Sequence, residues 1–486
     1  MSRCLFTPVG SPSTQQEAQV PVAGSELLAQ LSRELTPEVV ARVYASSKQE
    51  LMQRDRVLPL PTVLLLLLHF VVLRVPSFLA LLDRWAEGSL PGLRPGKVSR
   101  QAWSQRLQAL PHRLFLSVLR DVTLSLRTQT GSRPWVAALA PFATAIVGVD
   151  DTTLDALARK VEWLWCFASG APQTLAGRLG TMFDLTTGLI TEVVYDADSR
   201  TNERLHLAPM LDRLAAGTLL LFDLGYFSFA LFDRLTDLSL WYVSRCKART
   251  RYEVVQVLCD RPLYRDRLVW LGTDHKDRAA HPARLVELCL EGVWWRYLTN
   301  VLDPAQLPAD KLWALYAERW GVETSFAAIK QALGLASLRT VHANTVLIQV
   351  WTTLLLYHVL QSLRLQLAAA CGWKADEVSW LNLMRRIASY AELRHQHALP
   401  TLSQWLEQRA KLPGLQKRGT RVRRRRQLPD EVQACLLPVP PTPQVPVARS
   451  ARASSAARFA RPTARLPVLT LAELTPGTLL STQEMA

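Results

Sequence analysis

Apolar residues cluster along this chain in two periods. Residues 63–73 are an unbroken apolar run apart from His69. Arg74 and Pro76 interrupt it, and it resumes over residues 78–82. At about eleven residues the run falls short of the roughly 20 needed to span a bilayer, so it predicts a pair of buried helices. Pro59 to Pro61 and the Pro/Gly-rich stretch 90–96 read as turn or linker breaks. Residues 98–107 have a serine N-cap and a helical pattern with exposed Arg and Gln, which suits a DNA-reading helix or an ordinary amphipathic one.

Strand-like patterns follow. Residues 145–154 and 218–227 are short apolar strands that end in acids, Asp150 and Asp151 in the first and Asp223 in the second. Residues 179–184 and 189–195, joined through Thr186-Thr187-Gly188, read as a hairpin. Glu203 and Arg204 open a helix continuing through Leu214. Four further strands, 240–247, 252–258, 267–272 and 294–300, predict a β-rich insertion at about 240–300. Periodicity over 351–367 predicts helices packed on the sheet. Beyond 415 the Arg-rich run 417–426 and the Pro/Ala/Arg-rich stretch after it predict disorder. The expected organisation is a helical region 1–135, an α/β domain 136–360, helices 361–415 and a basic disordered tail 416–486.

Composition sharpens this in two respects. The net charge of +16 suits a phosphate-rich partner, but half of it lies in the tail, where twelve Lys or Arg face four Asp or Glu. The seven cysteines (4, 166, 246, 259, 289, 371 and 435) form no paired motif, which predicts reduced thiols and argues against structural zinc. The nine histidines are equally dispersed, with His395 and His397 closest together. The polar first twenty residues show no secretory signal.

The densest chemistry lies in residues 316–330, Y-A-E-R-W-G-V-E-T-S-F-A-A-I-K. On a regular helix, Tyr316, Arg319, Glu323 and Lys330 fall within an arc of roughly 60°, beside Phe326 and Ala327. A carboxylate between two cations on one face could ligate a metal ion while the cations hold phosphate oxygens. The same spacing also suits a salt-bridged helix. Trp320, on the flank, suits core packing or stacking on an unpaired base, and is expected to pack in the core.

The spacing Tyr-x2-Arg-x3-Glu-x6-Lys resembles the signature of DDE transposases of bacterial insertion sequences, in the branch called the IS-four family. The context agrees: Leu298-Thr-Asn300 precedes Tyr316-Ala-Glu-Arg-Trp320, and Gln331-Ala-Leu-Gly-Leu335 follows. Upstream, Asp-x-Thr at 150–152 and Asp-x-Gly-Tyr at 223–226 resemble the family's first two acidic motifs. The resemblance covers roughly residues 140–360. It implies an α/β fold with a ribonuclease-H-like catalytic core, in which Asp150, Asp223 and Glu323 are the catalytic acids and ligate two Mg²⁺ or Mn²⁺ ions about 4 Å apart. Asp151, directly before Thr152, is the alternative first acid; adjacent strand residues point to opposite faces, so one of the two reaches the metal. Tyr316, Arg319 and Lys330 would contact DNA. The implied partners are double-stranded DNA with terminal inverted repeats and target DNA, bound by a homodimer in the bacterial cytoplasm, with no membrane. A noncatalytic DNA-binding descendant of such an enzyme is the other reading.

Overall fold

The computed structural model of the chain describes residues 58–90, 93–129, 131–153, 178–196, 202–273, 278–333, 343–396, 399–410, 414–417, 427–446 and 448. The expectations for residues 1–57, and for most of the tail beyond 417, lie outside these.

The N-terminal helices are α1 (Leu60–Val72), α2 (Phe78–Ala86), α3 (Arg100–Ala109), α4 (His112–Gln129) and the single turn α5 (Pro134–Ala137). Pro59 and Pro61 do not break the chain here. Pro59 caps α1 and Pro61 sits in its first turn, where a fixed φ costs no hydrogen bond. Ser77 and Ser99 each accept a backbone N–H three residues on, starting α2 and α3. In α3 only Trp103 and Leu107 are buried, so it is amphipathic with one narrow apolar edge.

Nine strands form one sheet among the described residues, in the order β3-β2-β1-β4-β5-β9-β8-β7-β6. They are β1 (Ile146–Thr153), β2 (Arg178–Asp184), β3 (Ile190–Asp196), β4 (Leu219–Phe222), β5 (Trp241–Arg245), β6 (Tyr252–Arg261), β7 (Tyr264–Leu271), β8 (Ala283–Leu290) and β9 (Val293–Thr299). The ladders β1–β4 and β4–β5 are parallel, and the others are antiparallel. Helix α6 (Glu203–Leu211) links β3 to β4, and α7 (Phe229–Asp237) links β4 to β5. After β9 come α8 (Ala309–Glu318), α9 (Trp320–Ala327), a π-helical turn (Ala328–Ala332), α10 (Ala343–Ala370), α11 (Trp380–Gln396), α12 (Leu402–Gln408) and α13 (Asp430–Ala434).

The alternation of a strand sends Val147, Val149, Leu220 and Phe222 to one face, against α6 and α7. Ile146, Leu219 and Leu221 go to the other face, against α8, α9 and α10. Gly148 shares that second face. A Cβ there would stand 2.6 Å from Val322 Cγ2 and 3.0 Å from Leu185 Cδ2, so the missing side chain lets α9 approach β1.

The β-rich stretch is not a separate module. β9 pairs with β5 through Val243↔Thr299, Ser244↔Leu298 and Arg245↔Tyr297, so the insertion widens the same sheet. It also holds β8, a strand absent from the sequence reading. Arg284 and Glu287 disguise it, because both are buried with partners. Arg284 and Asp266 form an ion pair at 2.7 Å with neither side chain exposed, and the Tyr264 hydroxyl donates to the same carboxylate at 2.6 Å. Glu287 accepts from Arg267 and Arg296, each at 2.9 Å.

Residues 427–446 also depart from the expected disordered tail. Leu428, Val432 and Leu436 are buried, and Arg261 donates to the carbonyls of Cys435, Leu437 and Pro438. Three apolar residues at helical spacing, with a cation holding the following carbonyls, anchor this piece on the insertion.

Residues 344–370 are long and apolar enough to cross a membrane, yet their most apolar window is wholly buried in the fold. His358 on α10 ties the layers together. Its Nε2 accepts the Ile190 N–H at 3.1 Å, and its Nδ1 lies 2.6 Å from Thr123 Oγ1. Burial holds this imidazole down at about 3, and burial with Arg113 holds His112 at about 4, both from 6.5.

Two outcomes follow. Both folded values lie below the unfolded one, so as pH drops below 6.5 protons bind the unfolded chain first and stability falls. Each group contributes a slope approaching about 1.4 kcal/mol per pH unit. Replacing His358 by Gln should flatten the urea midpoint between pH 6.5 and 5 while lowering it at pH 7. Gly148→Val should cost about 1–3 kcal/mol by overpacking against Val322, read as a lowered urea midpoint at unchanged slope.

Candidate active site

Parallel pairing of β1 with β4 sets Gly148 beside Leu221, so Asp150 and Asp223, each two residues further on, reach the same strand ends. Asp150 shares its face with Gly148, the face that α9 covers. There the helix predicted over 316–330 proves to be three segments. α8 ends at Glu318, α9 begins at Trp320, and Arg319 is the joint, with i→i−3 hydrogen bonds on both sides of it. The π turn then changes the pitch before Lys330.

Arg319 is the hub of the site. Its Nη2 lies 3.0 Å from Glu323 Oε1 and 4.0 Å from Asp223 Oδ2, with only 5% of the side chain exposed. The Tyr316 hydroxyl donates to Asp223 Oδ1 at 3.3 Å. Burial raises the Asp150 carboxyl from 3.8 to about 6; the Asp151 N–H and Arg319 oppose the rise, while Glu323 and Asp151 add to it. Burial lowers the Lys330 ammonium, and Asp150 partly restores it. Asp223, Glu323 and Tyr316 therefore adjoin one guanidinium, Asp150 lies within its electrostatic reach, and Lys330 lies within that of Asp150.

Three carboxylates offer the all-oxygen donor set that a hard divalent cation prefers, so the residue types fit Mg²⁺ or Mn²⁺. Their placement is not closed on an ion. Among the described residues no three His, Cys, Asp or Glu side chains stand together as a metal site. Arg319 supplies the positive charge beside Asp223 and Glu323.

Asp151 lies on the opposite face, fully buried. It accepts from the Tyr226 hydroxyl at 2.6 Å and from His206 Nδ1 at 2.5 Å, with Arg178 Nε at 3.7 Å. The other ring nitrogen of His206 meets Asp196 Oδ2 at 3.0 Å. Burial works against charge on this imidazole, but the bonds to Asp151 and Asp196 outweigh it and raise its pKa. A carboxylate thus stands at each ring nitrogen. Sequence reasoning missed His206 and Asp196, which no motif marks. It quoted Tyr226 within Asp-x-Gly-Tyr without seeing that its hydroxyl serves Asp151. The glycine of that motif lies against the Glu203 carboxylate, which would have to shift to admit a Cβ.

Trp320 departs from its expected core position. It is 44% exposed, with the Arg319 guanidinium 5.4 Å from its ring centre. Beside it a cavity of about 420 Å³ runs behind α9, lined by Glu323, Arg133, Gln361 and Arg364 among others.

No curated protein matches the chain in sequence. Among solved structures it is similar to the piggyBac transposase of a synaptic complex with hairpin DNA, at 14% sequence identity over 80% of this chain and 86% of that one, with a TM-score of 0.43. Residues 146–359, which contain every side chain gathered around Arg319, match the transposase DDE domain family.

Proposed function

We propose that this protein is a DNA transposase of the IS-four type, which cleaves the ends of an insertion sequence and joins them to target DNA. The observation that carries the reading is the convergence of Asp150, Asp223 and Glu323 on Arg319 inside the stretch that matches the transposase DDE domain. The strand order β3-β2-β1-β4-β5, with β1, β4 and β5 parallel, supports a ribonuclease-H-like core.

In this reading Asp150, Asp223 and Glu323 hold divalent metal, and Asp151 serves as a buried anchor for β1. The bound ions would supply the positive charge that steadies the attacking and departing oxygens at phosphorus. Tyr316 orients Asp223 through its hydroxyl. Arg319 offsets the repulsion among the acids, and Lys330 places an ammonium beside Asp150. The DNA partner, the paired ends and the homodimer belong to the same proposal.

One observation favours a second reading, a noncatalytic DNA-binding relative: the carboxylates are grouped on a guanidinium rather than as a metal site. The discriminating measurement is nicking of DNA bearing the element's own inverted ends in Mg²⁺ or Mn²⁺. The protein should cut, and Glu323→Gln should cut about 10³-fold more slowly while still binding, since a lost ligand forfeits several kcal/mol. Binding by both proteins with cutting by neither establishes the second reading.

Asp150→Asn should split stability from activity. The folded pKa of about 6 exceeds the unfolded 3.8, so the fold holds the proton more tightly and loses stability as pH rises from about 4 through 6. With chelator present above pH 6, Asn should therefore raise stability by on the order of 1 kcal/mol. The same variant should lose metal-dependent cutting, and a less stable Asn variant would contradict the assignment.

A further inference from the structure

Two guanidinium groups lie on the helix-covered face near Asp223, and their situations differ. Arg319 is engaged by two carboxylates. Arg245 has none. It ends β5, where the parallel register Phe222↔Ser244 continues to set it opposite Asp223, one strand away at about 4.8 Å between backbones. Its guanidinium lies 4.5 Å from the Trp295 ring centre and 5.9 Å from that of Tyr297. Tyr297 in turn packs on Tyr316, ring centres 5.1 Å apart, and the Tyr316 hydroxyl reaches Asp223. Trp295 and Tyr297 thus hold the Arg245 guanidinium beside β9, on the side of the acids.

Among the described residues no carboxylate pairs with Arg245, and its buried Nε has no hydrogen-bond partner. An arginine so placed is costly to leave unsatisfied. Cation–π contact orients the guanidinium but supplies no acceptor, and the side chain is only half-buried, so the charge is placed to meet an anion from outside. The residues that follow extend the same chemistry. Lys247 and Arg249 are exposed on the β5–β6 loop, and Lys247 lies 5.2 Å from the ring centre of Phe227, just past Asp223. Arg296 donates to the Ala248 carbonyl at 3.0 Å and fixes the loop between them.

We propose that Arg245, Lys247 and Arg249 form an anion-binding track for successive phosphates of a DNA strand leaving the site on the Asp223 side. The track is separate from Tyr316, Arg319 and Lys330, and Arg245 is its innermost contact. Arg245 can accept a phosphate without releasing an internal partner, which Arg319 cannot. That the phosphates belong to DNA rests on the transposase reading.

The test is binding of a random-sequence DNA duplex by the full-length protein carrying Glu323→Gln, followed by fluorescence anisotropy as salt is varied. Each lost phosphate contact should lower the slope of log affinity against log salt by about 0.9. Arg245→Ala should lower it by about 1 and weaken binding about tenfold near 0.1 M salt, whereas Arg245→Lys should keep the slope. The double variant Lys247→Ala/Arg249→Ala, exposed and safe for folding, should lower it by about 2. Unchanged slopes in the double variant and in natively folded Arg245→Ala reject the track while leaving the transposase reading intact. A parent protein that binds no duplex, with a wild type that does not cut in Mg²⁺, removes both together.

Discussion

At the centre of this molecule one buried guanidinium, that of Arg319, joins an acid at a strand end to an acid on a helix. Asp150 and Asp223 stand at neighbouring strand ends because β1 and β4 run parallel, and α9, which bears Glu323, crosses the face of β1. Left alone, three such charges in a half-buried setting would push the strand ends and helix apart. Arg319 resolves the conflict by standing among them at the joint of α8 and α9, with its side chain almost wholly enclosed. The joint itself is part of the solution. A regular helix would carry residue 319 at ordinary pitch, whereas the tightened turn there and the wider π turn after Ala327 set Arg319 and Lys330 independently.

The second constraint lies on the reverse of β1. Asp151 is bound by Tyr226, His206 and Arg178, so the strand cannot roll without breaking a buried charged network. Adjacent acids thereby take opposite duties. One is tied down by hydrogen bonds. The other keeps a raised pKa, chiefly because burial disfavours its charge. This division is what local pattern alone could not assign, since the sequence shows two aspartates with equal claims.

Legibility follows the same logic. The strands that bear Asp150 and Asp223 were readable because both their faces are buried, which writes a nearly continuous apolar run ended by an acid. The β2–β3 hairpin was readable from Thr186-Thr187-Gly188. β8 was not, because Arg284 and Glu287 look like surface residues and become interior ones only through partners 18 and 9 residues away in sequence. His206 was invisible for a like reason, its partners Asp151 and Asp196 being 55 and 10 residues away. The spacing Tyr316, Arg319, Glu323, Lys330 named the chemistry but assumed one uniform helix. In the tail, composition overrode a short apolar period at Leu428, Val432 and Leu436 that the structure does use.

Helix α10 has a bearing on how the chain reaches this state. It packs along α4, whose residues leave the ribosome more than two hundred positions earlier, and it closes one side of the sheet. Until it arrives, the apolar surfaces it will cover stay open, and contacts of such long range form slowly. Its own sequence meanwhile has the length and hydropathy of a bilayer span. Until it docks, the nascent protein carries a segment greasy enough to attract lipid or other newborn chains.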